Sequence, residues 1–117
     1  VLFRSGLNGN GAGVSASGIG TGTYNYIYFD FANGTTVNNY PGCSIIDILD
    51  YANTNKYKTV RALGGADLNG TIASVPGRIN YISALWLSTN AITSITFTPV
   101  NNSFVQYSHF ALYGIKG

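Results

Sequence analysis

Residues 56–63 read Lys56-Tyr57-Lys58-Thr59-Val60-Arg61-Ala62-Leu63, and their alternation decides the fold class. Tyr57, Thr59, Arg61 and Leu63 fall on one side, and Lys58, Val60 and Ala62 on the other. A repeat of two is that of a β-strand, whose successive side chains point to opposite faces. Immediately upstream, Ala52-Asn53-Thr54-Asn55 is turn-forming, with at most a single helical turn near Ala52. Before it, residues 44–51 (SIIDILDY) set Ile45, Asp47, Leu49 and Tyr51 against Ile46, Ile48 and Asp50.

The same pattern extends in both directions. Gly64-Gly65 and Asn69-Gly70 punctuate a loop, and Pro76-Gly77 marks another. Arg78 to Leu87 (RINYISALWL) is a long apolar strand, and Ile92 to Thr98 is a further one with Ile95 and Phe97 inward. Residues 99–103 turn the chain, and Phe104 to Ile115 supply one or two closing strands. Towards the N-terminus, Tyr24, Tyr26, Tyr28 and Asp30 alternate with Asn25, Ile27, Phe29 and Phe31, and Asn33-Gly34 follows as a hairpin turn. Many short strands separated by turns predict an all-β chain, an antiparallel jelly-roll-like sandwich at residues 23–117. Its expected core is Ile27, Phe29, Val60, Leu85, Ile95, Phe97 and Leu112. Residues 1–22 are rich in Gly, Ser, Asn and Ala, and are expected to be an extended arm that packs on a neighbour through Leu7, Val14 and Ile19.

Composition narrows the function. Charged residues make up 9% of the 117, against about 25% in an ordinary soluble domain. The abundance of aromatic and β-branched residues speaks against disorder. Six Lys/Arg against four Asp give +2, and no basic run forms the stripe that nucleic acid requires. No apolar run approaches the ~20 residues of a membrane span. Val1–Gly6 is expected not to be a secretory signal, and the missing initiator Met implies trimming or a fragment. Cys43 is the single cysteine, expected as a small buried hydrophobe.

No catalytic set, cofactor or metal site is expected. His109 is the only histidine, in a closing strand, and none of the serines sits in a G-x-S-x-G elbow. Asp47 and Asp50 are three apart on a strand and diverge, so they cannot flank one glycosidic bond. Asp67-Leu68-Asn69-Gly70 begins like a calcium loop but lacks its closing Glu, and Gly18–Gly22 (GIGTG) lacks the lysine of a phosphate loop. The aromatic residues say more. Tyr24, Tyr26 and Tyr28 form a same-face stripe suited to a subunit interface, since each ring is apolar with one polar end.

Several short pieces are similar to a known family. They are residues 50–59 (DYANTNKYKT), 64–70 (GGADLNG), 83–86 (SALW), 91–97 (AITSITF) and 110–115 (FALYGI). Together, from Ile46 to Lys116, they resemble the C-terminal β domain of structural proteins of tailed bacteriophages. The resemblance implies a jelly-roll sandwich on the outer surface of a virion and no catalytic residues. Its implied roles are a capsid decoration (cement) protein or, alternatively, a receptor-binding tail-fibre tip that recognises host surface glycans. Low charge, the tyrosine stripe and the apolar-dotted arm lead to the expectation of a homo-oligomer, a trimer, and the resemblance implies a major capsid or tail-appendage protein as its further partner.

Overall fold

The computed structural model describes residues 2–9, 14–22, 42–72, 75–99, 103–104 and 106–115. Among them the chain is all-β, and no helix occurs. Three antiparallel strands form an open sheet: β3 (Gly42–Leu49), β4 (Lys58–Ile72) and β5 (Val75–Trp86). Along the free side of β5 run β1 (Leu2–Gly9) and then β2 (Val14–Gly22), so the order is β2-β1-β5-β4-β3. The residues expected as an arm therefore include two ladder-paired strands, Leu2 opposite Trp86 and Gly9 opposite Ile79.

Alternation along 56–63 is realised as read. Lys58, Val60 and Ala62 are buried, whereas Tyr57, Arg61 and Leu63 are exposed. The register carries the same parity across the sheet: Val60 pairs with Ile48 and Ala84, and Ala62 with Ile46 and Ile82. Val60 and Ala84 form the centre of this inner face, with half-buried Ile46 and Ile48 packed against them. Small side chains at the centre let the neighbouring isoleucines close over it.

The glycine pair does not end a strand. β4 runs through Gly64-Gly65, and Gly64 lies opposite Ser44, whose Oγ occupies the space a Cβ at Gly64 would need. Glycine here permits a close side-chain approach instead of a turn. Asn69-Gly70 also lies within β4, where the register with β5 shifts between Asp67 and Ile72, as at a β-bulge.

Other expectations are corrected. Residues 92–98 and the described part of 104–115 form no strand, and Ile95, Phe97 and Leu112 are exposed instead of core. Without a neighbouring strand, alternation gives a segment no buried face. Phe97 and Phe104 instead each contact Phe110, with ring centroids 5.4 and 4.8 Å from it. Leu85 is half-buried, on the face opposite Val60. Cys43 is exposed, because it shares the parity of Ile45 and Asp47, away from Ile46. Ile27, Phe29 and the rest of the 24–31 pattern lie outside the described residues.

The two faces make a direct test. Val60→Ala removes two buried methyl equivalents and should destabilise by about 2 kcal/mol at roughly 0.8 kcal/mol per group. Leu63→Ala, three residues on but outward, should cost less than about 0.5 kcal/mol in dilute protein. Urea unfolding at low micromolar concentration measures both, and equal losses would show the faces to be misassigned.

Candidate functional site

Two arrangements stand out, one inside the sheet and one on it. The inner one begins with Lys58, the first residue of β4, whose side chain is fully buried. Its Nζ donates to the carbonyl oxygens of Asn53 at 2.6 Å, Lys56 at 2.9 Å and Thr89 at 2.8 Å, with Ser88 O at 3.4 Å. Three short bonds match the three protons of an ammonium group. Two of the carbonyls belong to the β3–β4 turn and two to the segment after β5, so one cation joins both. The turn is prepared for this. Asp50 has φ of 58°, Asn53 N donates to Asp50 O at 3.0 Å, and Asn53 Oδ1 accepts from Asn55 N at 2.8 Å. A further bond, Ile92 N to Tyr51 O at 2.8 Å, ties the same two segments.

Also inside is Asn80, 3% exposed, with neither Nδ2 nor Oδ1 hydrogen-bonded. It lies opposite Gly64 on one side and Asn8 on the other. A buried amide without partners costs stability that an apolar side chain of like shape would not.

The outer face of β3, β4 and β5 is the second arrangement. Its middle row is Asp47–Arg61–Ser83, in which Arg61 Nη2 lies 3.5 Å from Asp47 Oδ2. Both side chains are about half exposed, so this pair contributes little in water. On one side lies the row Ile45–Leu63–Tyr81, and on the other Leu49–Thr59–Leu85. Ile45 is 70% exposed, Ile79 65% and Leu63 52%, with Tyr81 and Leu49 each 44% exposed. The face is thus an apolar surface crossed by one neutralised pair of charges.

The interface residues expected from sequence fall unevenly. Tyr24, Tyr26 and Tyr28 lie outside the described residues. Leu7 lies on β1 opposite Tyr81, at the end of the Ile45–Leu63–Tyr81 row, while Val14 and Ile19 lie on β2 opposite Gly9 and Arg4. Among the described residues no three His, Cys, Asp or Glu come together in a way that could hold a metal ion. His109 is exposed, and Asp50 belongs to the turn and not to the strand that carries Asp47. The apolar outer face was missed by sequence reasoning. Its signal is present: β3 and β5 carry large apolar residues at both parities, so only one set can be covered by the other side of its own fold. Neither a family model, nor a curated protein, nor a solved structure matches the chain.

Lys58→Met should destabilise by about 1–3 kcal/mol, because the converging carbonyls lose their donor. Lys58→Arg should not recover this, since a planar guanidinium does not fit carbonyls gathered around one point. In Lys58→Ala, ammonium chloride should raise the urea midpoint more than equal tetramethylammonium chloride, which has no N–H to donate. Equal responses to the two salts would contradict the cage.

Asn80→Leu should stabilise by about 1–2 kcal/mol in thermal or urea unfolding. A clear loss would reveal a polar partner for the amide.

Proposed function

We propose that the chain is a non-catalytic structural protein of a bacteriophage virion, a decoration domain that associates with further copies and with the capsid shell. The observation that carries this reading is the outer sheet face, where Ile45, Leu63, Ile79 and Tyr81 are left exposed side by side. Exposed apolar patches of this kind mark interaction surfaces. Low charge supports the same conclusion, because a surface with so few ions is better kept against a partner than wholly in water. The segments that resemble phage structural domains include the β3–β4 turn, the middle of β4 and the end of β5, the parts that frame this face. We take the sheet as one layer of a jelly-roll-like sandwich, its inner face turned to the rest of the chain.

A receptor-binding tip is the second reading, and one observation favours it. Tyr51 and Tyr57 are each about half exposed and flank the Asn53–Asn55 turn, an aromatic and amide grouping suited to stacking on sugar rings.

Imaging a labelled antibody to the chain on intact particles separates the two. Decoration predicts label distributed over the capsid, and the tip predicts label confined to tail ends. Label on neither, or glycoside or ester turnover lost in His109→Ala or Asp47→Asn, would overturn the structural reading.

A further inference from the structure

We infer that the outer face of β3–β4–β5 is a self-association surface, docking a second copy of the same chain about a two-fold axis that runs along β4. The inference deepens the structural role proposed above and takes its biological setting from it.

Register on the sheet makes this face complementary to itself. A two-fold axis along β4 leaves each cross-strand row in place and exchanges β3 with β5. Leu63 then lies over the partner's Leu63, and Ile45 over the partner's Tyr81. Leu49 likewise meets the partner's Leu85, and Cys43 the partner's Ile79. Every apolar position therefore finds an apolar one, with no insertion or slip required.

Charge selects a second copy over other partners. Asp47 is carried across to the partner's Ser83, one strand spacing from Arg61, which an arginine side chain can span. Each Arg61 can thus join its own Asp47 to the partner's Asp47, giving a closed network of two cations and two anions. A uniformly acidic or basic partner would set a like charge against Asp47 or Arg61 as both lose water, which is costly. An isologous contact satisfies both at once.

Area sets the strength. Three strands at about 4.8 Å spacing, paired over eight residues of roughly 3.4 Å each, cover on the order of 400 Å² in projection. That is below the ~800 Å² per partner of a standard complex, so the dimer is weak and concentration-dependent. Face-to-face sheets pack about 10 Å apart, close enough for these side chains to interdigitate.

Sedimentation velocity on the full chain tests this without any particle present, so the result is independent of where the protein resides. The wild type should pass from monomer to dimer between ~10 and ~500 µM. Leu63→Glu should weaken association at least ten-fold, with an unchanged far-ultraviolet spectrum. Arg61→Asp alone and Asp47→Arg alone should each remain monomeric, because all four charges of the paired rows then have one sign, where the wild type has two of each. Mixed in equal amounts, these two variants should form a heterodimer. A wild type that is monomeric throughout, a trimer or dimer indifferent to Leu63→Glu, or a mixture that stays monomeric would each overturn the inference. Label on the capsid together with a monomeric wild type would retain the virion role and reject this surface.

Discussion

The ammonium of Lys58 is the constraint on which the sheet depends. It sits at the first position of β4, surrounded by carbonyls from two chain segments that are distant in sequence. Because it must point inward to reach them, Val60 and Ala62 point inward too, and Thr59, Arg61 and Leu63 outward. A slip of one residue in β4 would invert all of these at once. It would place a cation in water, empty the carbonyl cage and expose the small apolar centre. Hydrophobic burial alone discriminates weakly here, since both faces of the sheet are apolar. The cage supplies what the hydrophobic pattern lacks, a polar requirement satisfied in only one register.

That point also explains what could be read from the sequence. The strands of β3, β4 and β5 and the turn between the first two follow from alternation and turn chemistry, which are local. Parity along 56–63 was legible for the same reason. The sequence places Val60 in the core correctly, but the burial of Lys58 beside it rests on the carbonyls of Ser88 and Thr89, about thirty residues away, which no local pattern contains. Gly64-Gly65 misled because glycine has two uses. In a turn it supplies positive φ, but opposite Ser44 it supplies room. Residues 92–98 misled because alternation is a property of the sequence, while a strand also needs a neighbour to pair with.

Charge economy connects the fold to the proposed role. Of the six basic residues, Lys58 is withdrawn into the interior and Arg61 is matched by Asp47 on an apolar surface. Few ions then remain to keep the rest of the molecule solvated. Such a composition is a liability for a freely diffusing monomer, and it suits a chain that spends its life against neighbours. The two apolar faces of one sheet thereby acquire separate meanings. The inner face, centred on Val60 and Ala84, holds the domain together, and the outer face is available for other molecules.

The polar row across that outer face then has a role distinct from affinity. In water, the Asp47–Arg61 pair at 3.5 Å contributes little, and taking it out of water carries a desolvation penalty that apolar residues would avoid. An interface optimised for strength alone would have no charges in its middle row. What the pair adds is alignment. Apolar rows alone select a register weakly, since Ile45, Leu63 and Tyr81 offer surfaces similar to those of Leu49 and Leu85, four residues along. Sliding the proposed copies by two residues would set one Arg61 over Leu63 and the other over Thr59, each keeping its own Asp47 but losing the other copy's. Two isolated, desolvated pairs are less favourable than one network of four charges. The ion pair therefore stands in the same relation to the proposed contact between copies as Lys58 does to the sheet: in each case apolar area supplies the attraction, and one polar requirement selects the register.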